Sequence, residues 1–175
     1  LKYLWLRSTL FLHDVSDAIV VEGEPDADAD EIVFKTRNKD KVRRQGVEIE
    51  LKTIPVFHTS LSAGFTYLDA TDRETGERLK DTAPYTYDIG IQYDHNNLKA
   101  LLTGHFIWWN ASAENEGKYN AFVWDFNASK RFPLSSERSL DLFFTIHNIF
   151  DSSQYLNALF KNPGRWIEGG VRFSF

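Results

Sequence analysis

The sequence predicts an all-β fold, specifically an antiparallel transmembrane β-barrel segment of about eight meander strands. Three observations predict it. The chain closes on a period-2 strand, in which Ile167, Val171, Phe173 and Phe175 fall on one side and Trp166, Glu168, Arg172 and Ser174 on the other. Aromatic residues are 15% of the 175 residues although mean hydropathy is only −0.39. Apolar character is therefore spread over alternate positions rather than collected into spans. Finally, the stretches between alternating segments are short and long by turns.

Composition removes several classes. Charged residues are 26% of the chain and no run approaches the roughly 18 apolar residues of a membrane helix. A net charge of −5 without a basic surface stripe argues against nucleic acid as a partner. Cysteine is absent, which fits an exported protein without disulfides. Methionine is absent too, and Leu1 opens directly into patterned sequence without a leader. The chain is accordingly expected to be the C-terminal piece of something longer.

The first strand is placed at Lys2 to Val21, with a bend or bulge at Asp14 to Asp17 and no clear lipid face. Trp5, Arg7, Phe11 and His13 share one side of it, and Leu4, Leu6, Leu10 and Leu12 the other. An acidic loop, Glu22 to Glu31, leads to a strand from Ile32 to Ile54, where Val47, Ile49 and Leu51 oppose Glu48, Glu50 and Lys52. Pro55 makes a tight turn, because it cannot donate a ladder hydrogen bond. The third strand sets Phe57, Thr59, Leu61, Ala63, Phe65 and Tyr67 against His58, Ser60, Ser62, Gly64 and Thr66. After the loop Asp69 to Ala83, Tyr85, Tyr87, Ile89, Ile91 and Tyr93 alternate with Thr86, Asp88, Gly90, Gln92 and Asp94.

A turn at His95-Asn96-Asn97 leads to a strand from Leu98 to Trp109, then a loop from Asn110 to Lys118. Phe122, Trp124, Phe126 and Ala128 face away from Val123, Asp125, Asn127 and Ser129. A turn at Pro133 to Glu137 precedes Leu140, Leu142, Phe144 and Ile146, which oppose Asp141, Phe143, Thr145 and His147. The loop Asp151 to Asn162 returns to the terminal strand. With the C-terminus in the periplasm, every long loop falls outside and every short turn inside. Tyr67, Tyr85, Trp108, Trp109 and Tyr119 then mark the outer strand ends, and Phe57, Tyr93, Phe132 and Phe175 the inner ones, as interfacial girdles do.

Several passages resemble one family. Arg44-Gln45-Gly46-Val47-Glu48-Ile49-Glu50-Leu51, Gly64-Phe65-Thr66-Tyr67-Leu68-Asp69-Ala70 followed by Asp81-Thr82-Ala83-Pro84, His147-Asn148-Ile149-Phe150-Asp151 and Pro163-Gly164-Arg165 together resemble the C-terminal part of a TonB-dependent outer-membrane receptor, in its siderophore and cobalamin branch. Gly170, Phe173 and Phe175 resemble the C-terminal sorting signal read by the barrel-assembly machinery, with Gly169 where that signal usually has a polar residue.

The resemblance implies a barrel of about 22 strands around a plug domain. It makes residues 1–175 the C-terminal portion of the barrel, with the plug and the N-terminal strands absent. It also implies a bacterial outer-membrane location, contact with lipid and lipopolysaccharide, and coupling to TonB-ExbB-ExbD through the missing plug. The cargo would be a metal chelate such as a ferric siderophore or cobalamin.

Candidate site residues follow from charge and place. Arg73, Arg78, Lys80, Lys118, Tyr155 and Lys161 lie in outer loops, where an anionic chelate is first met. Asp26, Asp28 and Asp30 offer alternate carboxylates to Ca²⁺, against the simpler reading of a solvated acidic loop. Glu48, Glu50, Lys52, Asp88, Asp125, Asp141, Glu168 and Arg172 should line the lumen. No resident cofactor is expected. Catalysis would need a hydroxyl, a His base and an orienting Asp or Asn. His58 with Ser60 offers only a pair that alternation produces freely, so a hydrolase is not expected. A small structural or adhesive barrel without cargo is the other alternative.

Overall fold

Each alternating segment pairs with its sequence neighbour. The computed structural model describes residues 3–25, 32–80, 82–109, 121–154 and 162–175. Among them eight strands form one antiparallel sheet in chain order: β1 (Leu4–Pro25), β2 (Ile32–Thr53), β3 (Thr59–Asp72), β4 (Tyr85–His95), β5 (Leu98–Trp108), β6 (Val123–Pro133), β7 (Ser139–His147) and β8 (Trp166–Ser174). β1 and β8 stand at opposite edges without pairing, so the sheet is open. No helix occurs among the described residues.

Register carries the pattern from strand to strand, since a slip of one residue would exchange the faces. Leu61, Ile91, Leu102, Phe126, Ile146 and Ile167 are successive partners from β3 to β8. Towards the long-loop end, Val47, Tyr67, Tyr85 and Trp108 form a parallel row, with ring centroids 5.3 and 5.6 Å apart between the aromatic neighbours. The other face aligns Arg7, Glu50, Gly64, Asp88 and His105. A groove lined by Asp94, Lys99, Asn127, Arg131, Thr145 and Arg172 marks this polar face as the concave one.

The sheet has almost no core of its own. Val42, Ala70 and Leu79 are the buried hydrophobic residues among those described, whereas Leu10 is 82% and Phe175 94% exposed. A continuous apolar face of this kind is out of place in water, because each large side chain left exposed forfeits about 1.5–3 kcal/mol of burial. It is in place against lipid.

Pairing with β2 settles the face of β1. Trp5, Arg7 and His13 stand opposite Lys52, Glu50 and Arg44 on the polar side, and Leu6, Leu10 and Leu12 opposite Leu51, Val47 and Gln45 on the apolar side. The expected bend near Asp14 to Asp17 reduces to a left-handed residue, Asp17 (φ 55), and the same register resumes at Ala18. The acidic loop is also shorter than expected, because β1 runs on to Pro25, paired with Ile32. Both strands have 22 residues. At about 3.3 Å per residue each is about 70 Å long, over twice a bilayer core, so the ladder projects beyond it. At the short-turn end Asn96 (φ 49) and Asn97 (φ 63) make the left-handed pair that a two-residue hairpin requires.

Candidate functional site

The concave wall is built from the polar half of each strand. The Asp88 carboxylate lies 2.6 Å from the His105 ring across β4 and β5. On β6 to β8, His147 stands 3.8 Å from Asp125 and 3.5 Å from Glu168, and its ring stacks on Trp166 at 3.8 Å. Lower down, Arg131 donates two bonds to Asp141, at 2.7 and 3.0 Å, and Asp141 is the register partner of Arg172. Near the β1 edge, Arg7 pairs with Glu50, and both Arg7 and Lys52 lie over the Trp5 ring. This alternation of charge sign suits a hydrated wall or a polar occupant. Most of these groups are half exposed on the open sheet, so each pair contributes little to stability.

The long-loop end is braced by two structures that sequence reasoning missed. Leu79 folds back from the β3–β4 connection onto Val42 and Ala70, held by its N–H on the Ala70 carbonyl at 2.8 Å. Asn148, only 3% exposed and left-handed at φ 50, donates to the Ser152 and Pro163 carbonyls at 2.8 and 3.0 Å and accepts from the Ser152 N–H at 2.8 Å. Its own N–H donates to Asp125 at 2.7 Å. Gln154 then donates to the His105 and Ala121 carbonyls, where the β5–β6 ladder ends. The signal for this knot was the string His147-Asn148-Ile149-Phe150-Asp151, set apart above by its resemblance, whose bonding no periodicity announces.

Among the described residues, the named loop cations Arg73 and Arg78 lie by separate carboxylates rather than converging. Arg73 lies 3.5 Å from Asp14, and Arg78 lies 3.3 Å from Asp69 and beside the Tyr67 hydroxyl, all on the convex side. Lys80 is exposed beyond the buried Leu79. Lys118, Tyr155 and Lys161 lie outside the described residues, as do Asp26, Asp28 and Asp30. Beyond the aromatic row, Arg43 grips Asp14 at 2.8 and 2.9 Å and holds its carboxyl below the usual range by hydrogen bonding, with added attraction from Arg73. His58 stacks on His95 at 3.8 Å at the short-turn end. At the terminus, Gly170 lies under the Phe143 ring on the concave face, while Phe173 and Phe175 stack at 5.9 Å on the convex one.

An open meander with an apolar convex face, an aromatic row and a charged concave wall defines the wall of a transmembrane β-barrel. The family model for the TonB dependent receptor-like β-barrel matches residues 1–149, and the chain belongs to that family. Members of this family reside in the bacterial outer membrane, interact with TonB and bind metal chelates; they are transporters and receptors, not enzymes. Among solved structures, the copper transporter OprC is 16% identical, with a TM-score of 0.75, over 99% of this chain and 29% of its own. The ferric preacinetobactin receptor BauA from Acinetobacter baumannii is 17% identical, with a TM-score of 0.67, over 99% of this chain and 27% of its own. The ferric enterobactin receptor PfeA from Pseudomonas aeruginosa is 18% identical, with a TM-score of 0.64, over 98% of this chain and 29% of its own. At these identities the likeness is one of fold, and the chain spans less than a third of each receptor. No curated protein matches the sequence.

Proposed function

We propose that the chain is the C-terminal portion of the barrel of a TonB-coupled outer-membrane importer whose cargo is a metal chelate, such as a ferric siderophore or cobalamin. The observation that carries this reading is the open two-faced sheet, which follows receptor walls over nearly its whole length while leaving both edge strands unpaired. Such edges suit continuation into a larger barrel with a plug against the concave wall. The short turns and the C-terminus lie in the periplasm, where Gly170, Phe173 and Phe175 serve as the sorting signal read by the barrel-assembly machinery. The plug links the barrel to TonB-ExbB-ExbD.

In this reading Lys80, together with Lys118, Tyr155 and Lys161, meets the anionic chelate at the mouth. Arg73 and Arg78 are committed to carboxylates on the outer wall, which makes them weaker candidates for cargo. The test is growth of a strain lacking the gene that encodes this chain on single iron chelates and on cobalamin. Loss of use of one chelate, restored by the gene only in cells with functional TonB, is expected. Unimpaired use of all of them by the deletion strain, when the parent strain carries the barrel in its membrane, would favour a structural barrel.

A further inference from the structure

We propose that His58 and His95, stacked at the short-turn end of the sheet, form a two-histidine site for a divalent transition-metal ion such as Cu²⁺. Their rings come from different turns. His58 lies between β2 and β3 and His95 closes β4, yet the ring centroids are 3.8 Å apart and the planes 29° from parallel. Tyr93 stands edge-on to both rings at 6.4 Å and walls the pair on one side. His58 is exposed and His95 half-buried. His58 also borders an open groove with Ser60, Gln92 and Asp94, so the pair is reached from water.

The turn that delivers His58 is built against local preference. Val56 and Thr59 exchange backbone bonds at 2.8 and 2.9 Å, leaving Phe57 (φ 49) and His58 (φ 64) as a two-residue hairpin loop. Such a loop needs left-handed backbone at both positions and favours Asn-Gly; the next short turn meets that need with Asn96-Asn97. A bulky aromatic residue is strained there. Burial does not offset the strain, since Phe57 is 91% exposed. What the turn achieves is the placement of His58, whose carbonyl accepts the Asp94 N–H at 2.9 Å, one residue before His95.

The chemistry of the pair selects the occupant. His105 and His147 face carboxylates, whereas neither the His58 nor the His95 ring has a hydrogen bond or ion pair among the described residues. A neutral imidazole offers one nitrogen lone pair. Two neighbouring imidazoles suit Cu²⁺, Ni²⁺ or Zn²⁺ rather than Ca²⁺ or Mg²⁺, which take oxygen ligands. Nitrogens bound about 2.0–2.1 Å from one ion at a right angle stand roughly 3 Å apart, within reach of rings stacked this closely. The Asp94 carboxylate is engaged by Lys99 at 3.4 Å. No third histidine, cysteine or carboxylate is gathered with the pair among the described residues, so water completes the coordination. The site lies at the opposite strand ends from Lys80, apart from the place where cargo is first met.

The test uses the whole receptor as the cell makes it, purified in detergent without a polyhistidine tag and stripped of metal. It is titrated with Cu²⁺ and followed by electron paramagnetic resonance and by thermal unfolding, while heat-modifiable migration checks that each variant is folded. Wild type should bind one more Cu²⁺ than His58→Phe or His95→Phe, with two imidazole nitrogens on that ion. Copper sites elsewhere on the receptor are common to all three proteins and cancel. Each substitution should weaken the site at least about tenfold and remove the rise in melting temperature that Cu²⁺ gives by tying the two turns together. Phe57→Asn with His58→Gly guards against a failure to fold. It relaxes the turn, so without metal it should be no less stable than wild type, yet it should lose the ion. His13→Asn on β1 should change nothing. Equal Cu²⁺ binding in wild type and His58→Phe, or in wild type and the relaxed-turn variant, would overturn the proposal. So would a spectrum with a single imidazole on the ion, or displacement of Cu²⁺ from the site by Ca²⁺.

Discussion

The same strands carry two chemistries, and the difference between the faces explains more of this molecule than any single residue does. On the convex side the cross-strand partners Leu61, Ile91, Leu102, Phe126, Ile146 and Ile167 are apolar without exception. On the concave side most of the partners are charged, amide, hydroxylated or glycine, with Leu101, Val123 and Phe143 among them, and they form pairs such as Asp88–His105 and Arg131–Asp141. Apart from Leu79 over Val42 and Ala70, neither face packs against another layer among the described residues. What the sheet lacks in core it replaces with solvent chosen face by face: lipid outside, water or a polar occupant within.

That comparison can be broken by moving charge between faces. Leu102→Arg should cost about 2–4 kcal/mol in chemical unfolding of the receptor in lipid vesicles, whereas Gln92→Arg on the concave wall should be nearly neutral. Equal costs would erase the distinction. Asn148→Ala comes next, because it strands the Ser152 N–H and two carbonyls in a buried knot. A loss of about 1–3 kcal/mol is expected in the same assay, with Asn148→Asp recovering only the accepting bond.

Gly46→Ala probes the close contact of β1, β2 and β3. An added Cβ would overlap the Tyr67 carbonyl oxygen and meet the Phe11 ring, so about 1–3 kcal/mol should be lost, whereas Gly76→Ala touches nothing and costs only its left-handed backbone. The smallest effect concerns pH. The Asp14 carboxyl is held below its ordinary range by Arg43, so the pair stabilises the hairpin at neutral pH and releases it as pH falls through the lowered value. Acid unfolding of wild type should show a small added loss that Asp14→Asn lacks.

Some of this was legible in the residues and some was not, for physical reasons. Tyr85 to Asp94 announces both faces, since five apolar positions alternate strictly with polar or glycine ones. β1 does not, because Trp5 and Phe11 share the charged side; register against Glu50 and Lys52 was needed to orient it. Glu22 to Pro25 reads as loop by composition, yet the ladder with β2 continues through it, since backbone pairing does not depend on an apolar face. Arg73 and Arg78 read as mouth cations because sequence locates a loop without giving the side on which its residues emerge. Gln154 acts through bonds to backbone carbonyls distant in the chain, and Asn148 ties Ser152 to the carbonyl of Pro163, arrangements that no periodicity announces.

The central claim is the assignment of the two faces, and site-directed spin labels along β4 test it most directly. Single cysteines at Tyr87, Asp88, Ile89, Gly90, Ile91 and Gln92 of the membrane-inserted receptor would be labelled with a nitroxide and exposed to oxygen and to a polar nickel chelate. The account predicts a period-2 oscillation, with oxygen accessibility highest at Tyr87, Ile89 and Ile91 and lowest at Asp88, Gly90 and Gln92. A flat profile, or maxima at the even-numbered positions, would contradict it.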